Sequence, residues 1–423
     1  MVKKLHYALI LIASLLLLGI GLLVSQALIR ALPGRYAYYL PQSLQELRHN
    51  AHPDTLPTSA VTPTPTPTPP PSTPTLFPTS TPSPTPTLSP STSTPLPTPT
   101  STLQARFTLT GLRHEHQGWN NCGPTTLAMA LSYWGRSEGQ YDIAPILKPD
   151  PEDKNVSLWE MEQFVQDLGL EASVRVGGTI DRLKGLIRAG FPVVVETWYV
   201  RDARDQLGHY RLLVGYDDAA GQFITYDSLH GPDVTISYPE LDELWRVFNR
   251  IYLVAYAPDQ RDVLADVLGA DIDNATMYER TLAVARVEAA NPPAACVAYA
   301  DCDDWVTFSW FNAGSSLTSL GRHAEAVAAY DRARQLGLHY RMLWYQFGPY
   351  ESYYAVGRYD DVIALANTTL ATTGNLEESY YWRGLARLAQ GDIDGARSDF
   401  ETAVHYHENW SPAVTALAEM EGQ

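Results

Sequence analysis

One stretch of the chain combines a cysteine with the neighbours that a thiol nucleophile needs. It runs from Gln117 to Pro124 as Gln-Gly-Trp-Asn-Asn-Cys-Gly-Pro, and an apolar run of small residues follows. The thiolate is the reactive form of cysteine, and a helix N-terminus stabilises it because unpaired amides and the positive end of the dipole face the sulfur. Pro124 suits the first turn of a helix, where an N–H has no intrahelical partner. The pattern predicts that Cys122 begins a helix and acts as a nucleophile.

Acyl transfer also requires a donor for the developing oxyanion and a base for the thiol. Gln117, five residues before the cysteine, has an amide of the required type. His209 opens a largely apolar run that extends to Tyr216, and Asp227 ends the next β-rich run. A hairpin between the two runs returns Asp227 to the side of His209, where a carboxylate orients the imidazole. We therefore predict a Cys122–His209–Asp227 triad with Gln117 as oxyanion donor.

The elements that must position these residues follow from a change in hydrophobic period. Up to about residue 190 the apolar residues recur at helical spacing. Beyond it, β-branched and aromatic runs bounded by Gly, Asp and Pro predict strands. Helices followed by an antiparallel sheet are typical of an α+β domain. The predicted helices are 125–134, 158–168 and 180–189, and the predicted strands are 192–198, 209–216, 223–227 and 252–256.

These residues resemble the papain-like peptidases that cleave the double-glycine leaders of bacteriocins, and their wider extracytoplasmic relatives. In that family a Gln precedes Asp/Asn-Cys-Gly, a Gly-His opens a central strand, and an Asp follows on the next strand. The resemblance covers residues 104–258 and implies a papain-like α+β fold. It implies Gln117 as oxyanion donor, Cys122 as nucleophile, His209 as general base and then acid, and Asp227 as its orienting residue.

One departure from that family concerns its transporter-linked members. They are fused to membrane-spanning and nucleotide-binding domains, whereas this chain shows no multi-span region and no phosphate-binding loop. The resemblance therefore implies the hydrolytic chemistry without implying leader processing coupled to export.

The C-terminal part of the chain repeats itself. Gly321, Gly357 and Gly391 are 36 and 34 residues apart, close to the 34-residue helix–turn–helix period. The first and third units place small and aromatic residues at matching offsets, and the middle unit departs from them. This pattern resembles the tetratricopeptide repeat family. We predict an all-α repeat domain over 259–423, with a helical lead-in at 264–288, whose inner surface binds a protein partner or substrate.

The N-terminal part predicts an anchor. The run 7–29 has no charged residue and is long enough as a helix to cross a bilayer about 30 Å thick. Lys3 and Lys4 precede it, which favours an extracytoplasmic location for everything after it. We assign residues 1–30 to a signal-anchor transmembrane helix. Small residues at 25–27 leave a cleaved signal, and hence a secreted protein, as the alternative.

A linker separates this anchor from the predicted peptidase domain. Residues 31–52 are a juxtamembrane segment, and residues 53–103 are almost entirely Pro, Thr and Ser. Frequent prolines fix φ and remove amide donors, so neither helix nor sheet is expected there. We predict a disordered, extended stalk.

Composition excludes some partners. The formal net charge of −17 opposes binding to nucleic acid. No cofactor or metal is expected, because His114 and His116 lack further ligands at suitable spacing, and His405 and His407 are expected to be solvated on a repeat helix. Cys296 and Cys302, six residues apart, form either a disulfide or two unpaired thiols.

The sequence favours a membrane-anchored, extracytoplasmic cysteine peptidase that hydrolyses peptide bonds. Acylation would produce a thioester at Cys122, which water then attacks. The repeats would recruit a partner or substrate. Two alternatives stay open: a thiol acyltransferase or amidase, in which an amine replaces water, and a surface protein-binding scaffold with an inactive peptidase-like domain.

Overall fold

The structure is a computed structural model of the 423-residue chain. It describes residues 54–59, 105–202, 205–297, 302 and 304–422. The predicted anchor, the juxtamembrane segment and most of the predicted linker lie outside these residues. Among the described helices, none combines the length and the apolar character that crossing a membrane requires.

The first folded region is the predicted α+β domain. Its strands are β1 Arg106–Thr108, β2 Glu171–Arg175, β3 Val193–Asp202, β4 Asp205–Asp217, β5 Gln222–Asp227, β6 Gly231–Ser237 and β7 Tyr252–Tyr256. Its helices are α1 Cys122–Ser132, α2 Gln140–Leu147, α3 Leu158–Asp167, α4 Ile180–Arg188 and α5 Tyr238–Arg246. Each of the three predicted helices and four predicted strands is present, with ends shifted by a few residues.

The seven strands form one antiparallel sheet in the order β2-β7-β3-β4-β5-β6, and β1 pairs with the far end of β4. The long strand β4 is central to the site. Thr197 on β3 lies opposite His209, and Asp227 on β5 lies opposite Arg211. The β4–β5 hairpin thus returns Asp227 to within two residues of His209 along β4.

Helix α1 lies against this sheet and is buried from Gly123 to Leu131. A helix buried on all sides is expected to be apolar all round, as the sequence of α1 is. Small residues allow the close approach, since a Cβ at Gly123 would stand 2.8 Å from the side chain of Met161. The packing therefore holds the first turn of α1, which begins with Cys122, in place between α3 and β4.

The second folded region is all-helical. It consists of α6 Arg261–Leu268, α7 Asn274–Ala290, α8 Asp304–Ser319, α9 His323–Gln335, α10 Gly348–Ala355, α11 Tyr359–Thr372, α12 Glu377–Ala389, α13 Ile393–Tyr406 and α14 Ser411–Glu421. Helices α8 to α13 form three hairpins. Their turns contain Gly321, Gly357 and Gly391 with φ of 70°, 77° and 85°, a left-handed conformation that favours glycine. The glycines therefore recur at a fixed spacing because each one forms the left-handed turn between the two helices of a hairpin.

Small residues set the spacing inside the hairpins. A Cβ at Gly314 would stand 2.5 Å from the ring of Tyr330, and one at Gly384 would stand 2.6 Å from the ring of Phe400. The middle hairpin has no such pair, and its first helix, α10, is only eight residues long. The irregularity expected for this unit is a shortened helix.

The two regions share one hydrophobic core. Trp198 of β3 packs against Phe308 of α8 and against Tyr345, with ring centroids 6.2 and 6.4 Å apart. Asn312 donates to the backbone carbonyl of Arg246 at 2.6 Å. The sequence predicted a domain boundary at residue 258. The regions before and after this residue pack against each other through apolar side chains.

Two further segments complete the described structure. Residues 54–59 fall within the predicted linker yet contact the repeats. Leu56 is buried, its amide donates to Leu338 at 2.8 Å, and Arg334 donates to the carbonyl of Pro57 at 2.6 Å. The expectation of a linker without packed structure is corrected for these six residues. Unlike a proline, Leu56 has an amide that can donate a hydrogen bond, and its apolar side chain can be buried against the repeats. Cys296 and Cys302 form a disulfide, which resolves the two alternatives.

Candidate active site

The predicted nucleophile occupies the predicted position. Cys122 is the first residue of α1, and the carbonyl of Asn121 accepts the first intrahelical bond from Thr125 at 2.9 Å. The preceding residue, Asn120, has φ of 53°, so the chain turns sharply into the helix. Asn tolerates this left-handed conformation better than most residues. The local sequence thus places the cysteine side chain at the exposed amides of the helix N-terminus.

His209 and Asp227 form a buried pair. The Nε2 of His209 lies 3.1 Å from Oδ1 of Asp227, so the imidazole donates to the carboxylate and its Nδ1 is the nitrogen left to act on a thiol. The amides of Leu229 and His230 also donate to Oδ1, and Arg211 donates to Oδ2 at 3.2 Å. The carboxylate is thereby held by four donors.

These contacts determine the charge states of the pair. Burial alone would raise the pKa of Asp227, but the hydrogen bond and charge of His209 and the charge of Arg211 lower it far below its usual range. Burial lowers the pKa of His209, and Asp227 opposes that shift. The pair therefore consists, near neutral pH, of a carboxylate and an uncharged imidazole, as a general base requires.

Gln117 lies next to this pair. Its amide N–H donates to the carbonyl of Ser228 at 2.9 Å, and its side-chain Oε1 accepts from Ser228 Oγ at 2.8 Å. Because Oε1 is engaged, the Nε2 amide is the part of Gln117 that can donate to an oxyanion. The loop before Cys122 is thus tied to the end of β5.

Neighbouring residues of β4 face opposite sides of the sheet, because strand side chains alternate. His209 points to the face that holds Asp227. Tyr210 points to the other face, which α1 covers, and its ring lies 3.5 Å from the Cβ position of Gly123. Glu196 lies on that second face too, since it pairs with Tyr210 across β3 and β4.

The Cys122 thiol lies beside the backbone of Tyr210. Burial raises its pKa, and the amides of Tyr210 and Gly123 together with the charge of Lys148 offset this in part. Among the described residues, no hydrogen bond joins the thiol to His209. The structure therefore brings His209, Asp227 and Gln117 together, and it leaves the thiol against the strand backbone.

Known proteins share both parts of this architecture. The Peptidase_C39 like family matches residues 106–256, which contain all four predicted site residues. Residues 106–256 are C39-like. The tetratricopeptide repeat family matches residues 309–335, which lie in α8 and α9. Both resemblances that the sequence indicated are thereby confirmed.

Two solved structures are similar to parts of the chain. One is a crystal structure described as a C39-like peptidase from Bacillus anthracis, at 18% identity and a TM-score of 0.30, covering 36% of this chain and 96% of that one. The other is the first TPR of Spaghetti (RPAP3) bound to the HSP90 peptide SRMEEVD, at 18% identity and a TM-score of 0.25, covering 27% of this chain and 90% of that one. No curated protein matches the chain.

The C39-like domain contains supporting residues that sequence reasoning missed. Gln140 is buried, and its Oε1 accepts from the Gly118 amide at 2.6 Å and from Asn121 Nδ2 at 3.1 Å. Lys148 donates to the carbonyls of Asn120 at 3.1 Å and Asp153 at 3.0 Å. Both side chains hold the loop that leads into Cys122. Because they come from α2 and the residue that follows it, the sequence around Cys122 does not predict their role.

Glu196 is a third residue that the sequence did not single out. It is buried beside Tyr210, its Oε1 has no hydrogen-bond partner, and burial raises its pKa to about 8. It also acts on Cys122 by raising the thiol pKa. Near neutral pH the Glu196 carboxyl is therefore mainly protonated.

A cavity of about 270 Å³ opens on the other side of the sheet from α1. It is lined by Tyr199, Arg211, Asp227 and His230, among others. The cavity lies beside the carboxylate that holds His209, and its walls combine aromatic and charged groups. Its lining includes Asp227 but neither His209 nor Cys122.

Proposed function

We propose that this protein is a cysteine peptidase that hydrolyses peptide bonds with Cys122 as nucleophile, His209 as general base and then acid, and Asp227 as orienting residue. The observation that carries the proposal is the buried His209–Asp227 hydrogen bond beside a helix that begins with cysteine, within a C39-like segment. Gln117 and the backbone amide of Cys122 supply the oxyanion donors in this proposal.

The chemistry follows from the orientation of the imidazole. His209 Nδ1 takes the thiol proton while Sγ attacks the substrate carbonyl, and the resulting oxyanion accepts bonds from Gln117 and a backbone amide. The protonated His209, stabilised by Asp227, then donates its proton to the leaving amine. A thioester remains on Cys122, and water activated by His209 releases the acid product.

The position of the thiol indicates what substrate binding must change. Burial raises the pKa of Cys122, so the thiol is protonated at rest and depends on His209 for activation. Catalytic hydrogen bonds are often long in proteins without substrate and tighten when it binds. His209 and α1 lie on opposite faces of the sheet, so in this proposal peptide binding must shift the start of α1 until Sγ leaves the Tyr210 amide and reaches Nδ1.

One observation favours the alternative of a binding protein with an inactive peptidase-like domain. Among the described residues, the thiol makes no hydrogen bond to His209. The two functions differ in whether His209 accelerates reactions at Cys122, so one experiment separates them.

The test is the reaction of the full-length chain with a peptide-based thiol electrophile, followed by intact-mass analysis. The peptidase proposal expects single labelling of the wild type near pH 7 and none of Cys122→Ala, because the other two cysteines form a disulfide. His209→Ala should label slowly near pH 7 and normally at alkaline pH, where the thiol ionises without help. His405→Ala, which alters an exposed histidine, should match the wild type. Equal rates for His209→Ala and the wild type at every pH would favour the inactive scaffold.

Location and recruitment belong to the same proposal. A membrane anchor before the linker places the C39-like domain and the repeats outside the cytoplasm, and the Cys296–Cys302 disulfide supports an oxidising compartment. The seating of residues 54–59 on the repeats supports a surface that accepts extended peptide. Protease added outside intact cells should release a soluble fragment that starts within residues 60–103. Complete protection of the folded regions would place them inside the cell.

A further inference from the structure

Two carboxylates and an imidazole meet where the C39-like domain contacts the third repeat. Glu160 lies in the first turn of α3, Glu377 begins α12, and His407 directly follows α13. One potential ligand atom from each side chain lies within 4.8 Å of the others. The expectation that His407 is solvated is wrong, since its side chain is 12% exposed and its Nδ1 lies 2.7 Å from Glu377 Oε1.

The three side chains are held in these positions by other contacts. Glu160 Oε2 accepts from the amide and the hydroxyl of Ser157, each at 2.8 Å. The imidazole of His407 also bonds to the backbone of Ile146. A histidine that binds a metal through one nitrogen usually donates from the other to a carbonyl or carboxylate. The backbone of Ile146 lies close enough to the His407 ring to be such an acceptor.

A third carboxylate is buried in the same region. Glu378 is 8% exposed, and its Oε2 makes no hydrogen bond. The charges that act on it most strongly are those of Glu377, Glu160 and Asp153, all of the same sign. We call the three residues whose ligand atoms converge, Glu160, Glu377 and His407, the junction cluster.

Positive charge near the junction cluster is scarce among the described residues. Lys148 acts on Glu377, but its Nζ donates to backbone carbonyls, including Asn120 at 3.1 Å and Asp153 at 3.0 Å. The cluster thus buries acidic groups that no arginine neutralises.

Two buried aspartates of the repeats are neutralised by arginine. Asp399 accepts from Arg383 at 2.6 and 3.0 Å and from Arg387 at 2.8 Å. Asp361 is paired with Arg334 and Arg358 at 2.8 Å each. A buried charge needs such a partner or a metal ion. The junction cluster departs from the pattern of its own repeats, and its donor atoms converge.

We propose that the junction cluster binds one divalent transition-metal ion, with Glu160, Glu377 and His407 as its three protein ligands. Imidazole with carboxylates suits Zn²⁺, whereas Ca²⁺ and Mg²⁺ prefer oxygen ligands alone. The ion replaces the direct His407–Glu377 hydrogen bond by bonds from both residues to the metal. It joins α3 of the C39-like domain to α12 and to the end of α13, and so secures the third repeat against the domain.

The experiment is Zn²⁺ binding by the full-length chain after chelator treatment, measured by calorimetry and by metal content. It is carried out in the wild type and in Cys122→Ala, which removes the free thiol as a competing ligand. Both proteins should bind one Zn²⁺ per chain. His407→Ala should weaken binding by more than about 100-fold, the upper end of the loss that follows removal of an outer partner of a ligand. His405→Ala is the matched control two residues away and should bind like the wild type.

A second variant guards against a folding defect. Glu377→Gln keeps the side-chain shape and one acceptor oxygen for His407, so the metal-free protein should stay folded while Zn²⁺ binding weakens at least about tenfold. Co²⁺ in the wild type should give visible absorption bands that are lost in His407→Ala. No stoichiometric Zn²⁺ in the wild type, equal losses in His405→Ala and His407→Ala, or tighter binding of Ca²⁺ or Mg²⁺ than of Zn²⁺ would each overturn the proposal.

Discussion

Asp227 in the C39-like domain and Glu377 at the junction are both almost completely buried, yet their surroundings are opposite. Asp227 accepts from His209, Arg211 and two backbone amides, and its pKa falls. Glu377 lies beside Glu160, and its pKa rises to about 8. Burial removes water in both places, and what replaces the water determines the sign of the shift.

The difference has a functional meaning. A carboxylate that orients an imidazole must stay ionised, and the donors around Asp227 ensure that it does. At the junction, Glu160 and Glu377 lie beside each other, and among the described residues no arginine pairs with them. The first arrangement is complete without a ligand, whereas the proposed metal ion would complete the second. Three predictions test this comparison.

The largest effect is expected at Asp227. Asp227→Asn keeps the shape but removes the charge that stabilises protonated His209, so kcat/KM should fall roughly 10²–10⁴-fold. The free energy of unfolding should fall by about 3 kcal/mol, because Arg211 is left buried without its partner. Peptide hydrolysis and chemical denaturation measure the two effects. Asp233→Asn, at an exposed residue with φ of 56°, is the control. Unchanged turnover in Asp227→Asn would show that this carboxylate does not orient the base.

The next prediction compares the loss of stability when a buried acid that is paired with arginine is neutralised and when one without such a partner is neutralised. Asp399→Asn should reduce the free energy of unfolding by about 3 kcal/mol, because Arg383 and Arg387 lose their common partner. Glu378→Gln in the metal-free protein should change it by less than about 1 kcal/mol or increase it, because no paired cation is abandoned. Denaturant unfolding of both variants provides the measurement. Equal destabilisation by the two substitutions would contradict the comparison.

The third effect, which appears only when stability is followed across pH, is a change in pH dependence at Glu196. Burial raises the pKa of this group from 4.5 to about 8 in the folded protein. Between these values the folded state holds a proton that the unfolded state has lost, so this group makes stability fall as pH rises, by at most about 1.4 kcal/mol per unit. Its contribution is complete below pH 4.5 and is lost above pH 8.

Glu196→Gln should therefore flatten the stability profile between about pH 4.5 and 8. Unfolding measured across that range in the wild type and the variant tests this. If the wild type and the variant show the same dependence of unfolding free energy on pH, Glu196 is ionised in the folded protein. Its pKa would then not be raised by burial, in contrast to that of Glu377.

Much of the fold could be predicted from local patterns. The strands 193–202 and 252–256 are β-branched and aromatic, and the turn glycines of the repeats recur at a fixed period. Strand β2, with the sequence Glu-Ala-Ser-Val-Arg, has no such signal, since its strand conformation depends on pairing with β7. Local propensity is a weak guide where distant pairing decides.

The candidate site shows the same division. The motif around Cys122, the Gly-His that opens the apolar part of β4 and the hairpin spacing to Asp227 are local, and they were sufficient to name four residues. Gln140, Lys148 and Glu196 were missed because each acts on the site from another element. The direction in which the thiol points was also unpredictable, because it depends on the packing of α1 against Tyr210.

The sequence by itself determined which chemical groups this protein has and in what local conformations they occur. Spacing alone placed Cys122 at a helix start and the repeat glycines in turns, because helical and strand periods are properties of neighbouring residues. Burial is a property of the whole fold. His405 and His407 are two residues apart, yet one is exposed and the other lies against Glu377, because only the packing of the third repeat onto the C39-like domain distinguishes them.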